Sequence, residues 1–320
     1  MSENYKDFLK TPIRTDRKPL QDLLPLSQPL RVLIDPCDIC NFRCTYCFQS
    51  YDKDFKGSIM QRETFQLIIE QLKEFEAPIN VVHLYGLGEP MLNQDLPDYV
   101  NALKVNNVAK EVAITSNGSR LTESYSERLI NAGLDRLSIS LNGIEDSHFE
   151  KNVGRKIKFE EIYKQIQYFY SIRKQCHLHV KINGDCFTES EKERFVLFFK
   201  DYCDTLNIDH VVNAWPSINV TENHEQNIYD REIQGEGICP QMFYELLIHT
   251  DGNVSPCCAD YTYRKENLGN IKTQTLKEIW NGSKLFQIRI QALQREKIDY
   301  TVCNGCTYAI CAATVNLLPY

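Results

Sequence analysis

Residues 30–34, Leu30-Arg31-Val32-Leu33-Ile34, lead within a few positions into Cys40-Asn41-Phe42-Arg43-Cys44-Thr45-Tyr46-Cys47, and the reading of this pair decides where the rest of the chain is placed. The first piece is short, apolar and branched, as a buried strand is. The second sets three thiols at C-x3-C-x2-C spacing, close enough for the backbone to curl round one body and aim its amide hydrogens at the sulfurs. Three cysteines can hold three irons of a cubane and leave the fourth open to another ligand. Zinc is a competing reading, because C-x2-C pairs hold zinc in many proteins and Cys37 is near enough in sequence to be a fourth ligand. A disulfide is a third, tied to a secreted chain.

The chain has 320 residues, enough for one large domain or a large and a small one. With 36 Lys and Arg against 43 Asp and Glu the net charge is −7, and there is no long basic run, so a nucleic-acid partner is not expected. The first twenty residues are polar and charged, without the apolar core of a signal peptide, and no stretch has the length of a membrane span. A cytoplasmic setting without a membrane partner is therefore expected. There the 13 cysteines point to metal rather than disulfides.

Residues 1–29 read as an arm, broken by Pro12, Pro19, Pro25 and Pro29. From residue 30 an alternation sets in, with buried strands predicted at 30–34, 80–85, 111–115, 135–141, 177–182 and 209–214. Helical patterns lie between them, such as 63–75 with Phe65, Ile68, Ile69 and Leu72 on one face. Thr122 opens a helix that stops near Gly133, and Thr188 with Glu191 forms a capping box for a helix reaching Phe198 and Phe199. Tyr163, Ile166, Phe169 and Tyr170 recur at helical spacing and read as core. Six strand-helix units imply a parallel sheet and are too few for a closed eight-stranded barrel. The expected fold is therefore α/β, a partial (β/α)6 TIM-like barrel over residues 30–215.

Reactive groups in such folds sit beyond the carboxyl ends of the strands, where the cysteine loop follows strand one. Strand two ends in Tyr85-Gly86-Leu87-Gly88-Glu89-Pro90, strand three in Thr115-Ser116-Asn117-Gly118, and strand four in Ser138-Ile139-Ser140-Leu141-Asn142-Gly143. Each alone is an ordinary turn; three at one face mark a site. Trp215 at the end of strand six reads as a site wall or a domain interface.

Residues 216–238 break the periodicity as a linker, and cysteines resume over 239–320. Asp251-Gly252 between two strand-like runs predicts a β-hairpin that brings Cys239 near Cys257. Cys303 and Cys306 form a second knuckle, with Cys311 beyond. By spacing, zinc and a cubane suit this set equally. Cys176, Cys186 and Cys203 read as packed thiols. Cys258 is either another or a thiol facing the cavity between the domains.

The C-x3-C-x-aromatic-C loop with Tyr46 in the aromatic place, the Gly86-Leu87-Gly88-Glu89 segment and the polar strand ends together resemble the radical S-adenosylmethionine (SAM) enzymes. That family often has Gly-Gly-Glu where this chain has Gly-Leu-Gly-Glu. The resemblance implies that Cys40, Cys44 and Cys47 ligate a 4Fe-4S cluster whose open iron takes SAM. Glu89 with Gly88 would then meet the methionine moiety, Ser116, Ser140 and Asn142 the ribose and carboxylate, and Tyr46, Gly86 and Asn117 would belong to the same cofactor-binding set. In the family the reduced cluster cleaves SAM to a 5′-deoxyadenosyl radical that abstracts hydrogen from a C–H bond.

Cys239, Gly252, Cys257, Leu268-Gly269-Asn270-Ile271, Trp280 and Cys303-x2-Cys306 likewise resemble the SPASM/Twitch extension of these enzymes. It implies a small cysteine-rich domain with a hairpin and helices, holding one auxiliary 4Fe-4S cluster by Cys239, Cys257, Cys303 and Cys306, or with Cys311 replacing one of them. The substrate expected from the resemblance is a hydroxylated small molecule of sugar or aminocyclitol type, since the arm before residue 30 is too short for a peptide-recognition domain. The reaction is oxidation, or epimerisation with Cys258 as hydrogen donor, and the electron source a flavodoxin- or ferredoxin-type reductant. A ribosomal-peptide maturase is the second reading, and a non-catalytic iron-sulfur or zinc protein is the reading from a different class.

Overall fold

All four residues of the first strand, β1 (Arg31–Ile34), are buried, and the strand lies inside a sheet with neighbours on both sides. In chain order there follow α1 (Arg62–Leu72), β2 (Ile79–Leu84), α2 (Leu96–Val105), β3 (Ala109–Ser116), α3 (Glu123–Asn131), β4 (Arg136–Leu141), α4 (Asp146–Val153), α5 (Phe159–Ile172), β5 (His177–Asn183), α6 (Glu189–Phe199) and β6 (Thr205–Asp209). Beyond them come α7 (Gln241–Tyr244), β7 (Glu245–Ile248), β8 (Asn253–Ser255), β9 (Gly269–Asn270), α8 (Leu276–Trp280) and α9 (Ser283–Gln294). This computed structural model describes residues 4–10, 20–211, 215, 238–294, 296–303 and 306. The expected linker up to residue 237, and Cys311, lie outside the described residues.

Strands β1 to β6 pair in parallel, each with the next, as a TIM-like partial barrel. The expected hairpin is present: β7 and β8 are antiparallel, and Gly252 between them has φ +90°, in the left-handed region where a side chain would be strained. It is not a separate sheet, however. Strand β7 lies parallel beside β1 with Arg31 opposite Glu245, so one nine-stranded sheet runs β6-β5-β4-β3-β2-β1-β7-β8-β9. Strand pattern reveals that a segment is extended, not which neighbour it will find.

The two faces of the sheet differ in chemistry. Val32, Ile34, Val82, Leu84, Val112 and Ile114 join Ile68 and Ile69 of α1 and Leu103 of α2 in the main core. Burying each such side chain is worth roughly 1.5–3 kcal/mol, which holds the helices on that face. Residues of the other register are mixed: Arg31, His83, Glu111, Arg136 and Lys181 stand there together with the buried apolar Leu33, Val81 and Ala113. The charges of Arg136, Arg31 and Lys181, from β4, β1 and β5, all bear on the buried His83 of β2, as they must if these side chains share one lumen. Burial first, and these cations second, hold the His83 pKa well below its usual value.

Helix ends follow the predicted signals. The Thr122 side chain accepts from the Tyr125 amide to start α3, Gly133 at φ +88° follows its end, and α6 has the complete Thr188–Glu191 capping box. The sixth strand is the error, since it spans Thr205–Asp209 rather than 209–214. Its apolar face is only Leu206 and Ile208, opposite Val180 and Ile182 of β5, and this half-buried alternation is outweighed in sequence by the β-branched pair at 211–212. Cys176 and Cys203 are buried among core residues, as expected of packed thiols, and Cys186 is partly buried against the core.

Ile68, fully buried in α1, tests the helical face: Ile68→Ala is expected to lower the unfolding free energy by about 2–5 kcal/mol in urea titrations. Leu197→Ala in α6, at a position 58% exposed, should change it by no more than about 0.5 kcal/mol.

Candidate active site

The three cysteines of the loop after β1 are held by backbone geometry. The Cys47 amide donates to the Cys44 carbonyl at 3.0 Å, the Ser50 hydroxyl to the same carbonyl at 2.7 Å, and Arg43 Nη1 to the Cys40 and Phe42 carbonyls at 2.7 Å each. The Arg43 and Thr45 amides donate to Val153 and Asn152, fastening the loop to the end of α4. The Phe42 amide is aimed at the Cys40 sulfur at 3.5 Å, and the Gln49 amide at that of Cys47. Burial pushes the Cys40 thiol up to about 12 and Cys44 higher still, and the proximity of the other loop thiols adds to both.

Among the described residues no three His, Cys, Asp or Glu side chains converge closely enough to grip a single metal ion. Three thiols spread round one loop, with amides directed at two of the sulfurs, are a donor set that fits the larger iron-sulfur cluster. Cys37 is fully buried, and its thiol donates to the Ile39 carbonyl at 3.5 Å.

The residues predicted to border a ligand gather round this loop and brace it. The Glu89 amide donates to the Ile39 carbonyl at 2.8 Å. Its buried carboxylate accepts from Ser116 Oγ at 2.7 Å and the Met91 amide at 3.0 Å on one oxygen, and from the Asn117 amide at 2.7 Å on the other. Burial raises its pKa, while the Asn117 and Ser116 bonds oppose the rise. A carboxylate has about four acceptor positions, so one remains beside these three bonds. The Asn117 amide side chain donates to Asn41 of the loop at 3.0 Å. Asn142 Oδ1 accepts from the Tyr46 hydroxyl at 2.6 Å and faces the Cys44 sulfur at 3.7 Å.

Gly88 is required by contact within the chain: a Cβ there would stand 2.4 Å from the Cys37 and Ile39 carbonyl oxygens. At Gly86 a Cβ would stand 2.4 Å from the Asp35 carboxyl carbon. Ser140 instead lines a cavity of about 310 Å³ at the ends of β4 to β6, with Tyr46, Lys181, Asn183, Asp209 and Trp215.

Asp38, which the sequence did not single out, joins this loop to the C-terminal elements. It is fully buried and accepts from the Ser58 amide, from Tyr263 Oη at 2.6 Å, from Arg264 Nη2 at 3.0 Å and from Thr250 Oγ1 at 3.3 Å. The Tyr263 ring stacks on His249 at 3.6 Å, His249 Nε2 lies 2.8 Å from Ser255 Oγ, and Ser255 donates to Asp260, which also accepts from Tyr300 Oη at 2.6 Å. A buried polar chain thus runs from the cysteine loop toward the second cysteine group. Beside it Phe48 stacks on Tyr261 at 5.0 Å and tilts against Trp215 at 5.0 Å, so Trp215 closes an aromatic cluster between the barrel and the C-terminal elements.

Cys239, Cys257, Cys303 and Cys306 lie near enough for their charges to bear on one another. Burial raises the Cys239 thiol, with Cys306 and Cys303 adding, and burial raises Cys257, with Cys258, Cys303 and Cys239 adding. The Gln241 amide faces the Cys239 sulfur. The Cys258 amide donates at 3.3 Å to Glu245, which is ion-paired with Arg31, and the Tyr85 hydroxyl faces the Cys258 thiol.

Residues 34–199 match the family model of the radical SAM superfamily, and residues 239–307 match SPASM, an iron-sulfur cluster-binding domain. The chain is similar to GTP 3′,8-cyclase of Staphylococcus saprophyticus, 25% identical over 236 residues that cover 69% of this chain and 67% of the relative. With GTP 3′,8-cyclase of Staphylococcus epidermidis it is 30% identical over 220 residues, covering 62% of this chain and 63% of the relative. The chain thus spans about two thirds of the length of these curated relatives or slightly less. Its fold is that of anSMEcpe with bound AdoMet, at TM-score 0.62, 18% identity and 88% coverage of both chains. It is also that of BtrN in complex with AdoMet and 2-DOIA, at TM-score 0.54, 18% identity, and 82% and 86% coverage of this chain and that one.

Two outcomes test the braces. Asp38→Ala takes the acceptor from the buried Tyr263 hydroxyl and from the half-buried Ser58 amide, each costing about 1–3 kcal/mol. The melting temperature in calorimetry should fall by at least about 4 °C. Asp35 is fully buried with one oxygen unpartnered, and burial, helped by the Asp38 charge, pushes its pKa from 3.8 up to about 7. The folded state then keeps a proton that the unfolded chain releases, so stability should fall as pH rises from about 4 to about 7 and level off above. Melts of Asp35→Asn across that range should lack this slope; a slope equal to that of the unsubstituted protein would show that Asp35 is not its source.

Proposed function

Because the chain belongs to the radical SAM superfamily and carries a SPASM domain, with a 4Fe-4S cluster, SAM and an auxiliary iron-sulfur cluster as its cofactors, we propose that it takes a hydrogen atom from a C–H bond of a small hydroxylated molecule of sugar or aminocyclitol type. The cofactors supply reductive cleavage of SAM and the radical this yields. On this reading Cys40, Cys44 and Cys47 hold the SAM-binding cluster, and Cys239, Cys257, Cys303 and Cys306 the auxiliary one. Glu89 receives the SAM ammonium group at its remaining acceptor position, and Tyr46 and Asn142 keep the loop in place. Ser140 and Asn183, at the cavity, serve SAM or substrate hydroxyls. The barrel and auxiliary modules are assigned to residues 30–215 and 239–320.

The observation that carries the substrate class is the charge balance of the lumen. Arg31 pairs with Glu245, Arg136 with Glu111 at 2.7 Å and Lys181 with Asp209 at 2.6 Å. Such a lumen offers hydrogen bonds without a net cationic grip, which suits a hydroxylated or amino-bearing molecule better than a nucleoside triphosphate. That contrast matters because the similar curated proteins are named for GTP. The position of the auxiliary thiolates favours oxidation, in which the electron left on the substrate passes to that site. Cys258 beside Tyr85 favours a second outcome, epimerisation with its thiol as hydrogen donor.

Anaerobic reconstitution with SAM and dithionite is expected to yield 5′-deoxyadenosine, and a Cys40, Cys44, Cys47→Ala variant none above background while keeping about four irons of the auxiliary cubane. Equal 5′-deoxyadenosine from both proteins would overturn the enzymatic reading. With a panel of aminocyclitols and sugars in deuterated buffer, a two-electron-oxidised product without solvent deuterium marks oxidation. Deuterated epimer that disappears in Cys258→Ala marks the second outcome.

A further inference from the structure

We propose that the buried ion pair of Arg31 and Glu245 sets the reduction potential of the auxiliary iron-sulfur cluster, Arg31 offsetting a carboxylate that would otherwise repel the added electron; this rests on the reading that Cys239, Cys257, Cys303 and Cys306 hold that cluster. The two residues stand opposite one another on β1 and β7, and Arg31 Nε donates to Glu245 Oε2 at 2.7 Å. The Cys258 amide, next to Cys257, donates to Glu245 Oε1 at 3.3 Å. Arg31 Nη2 donates at 3.2 Å to Gln241 Oε1, which also accepts from Tyr244 Oη at 2.6 Å, and the Gln241 amide faces the Cys239 sulfur. Carboxylate and guanidinium are thus each one hydrogen bond from a residue within two positions of a cysteine of this group.

This is also the most deeply placed of the three pairs in the lumen. Its side chains are 9% and 0% exposed, against 16% and 20% for Arg136 and Glu111 and 30% and 15% for Lys181 and Asp209. Charges so far from water are weakly screened, and charge near an iron-sulfur cluster is one of the quantities that fix its potential. The field of the pair reaches the cysteines. Burial pushes the Cys258 thiol up to about 12, with Glu245 adding to the rise and Arg31 opposing it, and Glu245 is also among the groups that add to the rise that burial causes at Cys239.

A reduced cluster carries one more negative charge than an oxidised one, so a nearby carboxylate alone would disfavour reduction. An arginine keeps its proton, so the guanidinium offsets that carboxylate at every working pH. On the oxidation reading the substrate carbon radical gives one electron to the auxiliary cluster and its hydroxyl proton to water, leaving a carbonyl. The Glu245 carboxylate holds the backbone at Cys258, and Arg31 keeps this brace from raising the cost of the electron's arrival.

The test uses the full chain with Cys40→Ala, Cys44→Ala and Cys47→Ala as parent, reconstituted so that the auxiliary cluster alone remains, and titrated with dithionite and redox dyes while its electron paramagnetic resonance signal is followed. Glu245→Gln leaves the Arg31 charge unopposed and should shift the equilibrium toward the reduced cluster at least about tenfold. Arg31→Met together with Glu245→Gln removes both charges and should bring it back to within about threefold of the parent. No shift with Glu245→Gln, a shift toward the oxidised cluster, or the same shift in both variants overturns the proposal. If Glu245→Gln does not retain its iron, Gln241→Glu, which adds a carboxylate beside Arg31, should shift the equilibrium toward the oxidised cluster at least about tenfold, and an unchanged equilibrium there overturns the proposal as well. Zinc in place of about four irons overturns the proposal together with the cluster assignment. Iron at this site with no 5′-deoxyadenosine from the unsubstituted enzyme counts against the enzymatic reading alone, and the titration still decides the role of the pair.

Discussion

The carboxylate of Asp38 is the point through which the two halves of the molecule hold one another. Taking an aspartate fully out of water costs several kcal/mol unless its oxygens are met by donors and an opposite charge. Here one donor comes from the chain near the loop, Ser58, and three from the C-terminal elements: Tyr263, Thr250 and Arg264. The carboxylate is therefore tolerable in its buried place only when the hairpin and the segment after it are folded against the barrel. Parallel pairing of β7 with β1 acts in the same direction, because it makes the sheet itself shared. The cysteine loop, which begins six residues beyond the end of β1, inherits its position from both.

The inner side of the loop is set by Glu89 and Gly88. The absence of a Cβ at Gly88 lets the segment after β2 touch the backbone at Cys37 and Ile39, and the Glu89 amide then reaches the Ile39 carbonyl. Its carboxylate collects the ends of β2 and β3 through Met91, Ser116 and Asn117. A carboxylate so held is pre-oriented, and pre-orientation reduces the entropy lost when a ligand binds. The same residues can thus serve as brace and as ligand contact, which turn chemistry alone did not indicate.

The partial barrel, the capped helices and the hairpin were legible in the sequence because their signals are local. Period-two and period-3.6 patterning, the Thr188–Glu191 box and Asp251-Gly252 each need only a few neighbouring residues. The spacing of the cysteines is a local signal of the same kind. What was not legible depends on partners far along the chain. Asp38 stands between Cys37 and Ile39 as one more polar residue, and its meaning comes from Tyr263 and Arg264, more than 220 positions away. Strand β6 was misplaced because its support is the opposite row of β5, and the joining of β7 to β1 is a choice of neighbour on which local pattern is silent.

Charge is distributed differently inside the sheet's lumen and over the exposed residues near the loop, and the difference is physically consequential. Inside, each of Arg31, Arg136 and Lys181 has a carboxylate partner, so the field of each cation is largely cancelled within a few ångströms and selection rests on hydrogen-bond geometry. Outside, the cations of residues 43–56 and 151–156 have no such partners among the described residues, and their field reaches about 8–10 Å into solvent before salt screens it. A short-range interior suits a small, polar, nearly neutral molecule that must be oriented to the ångström.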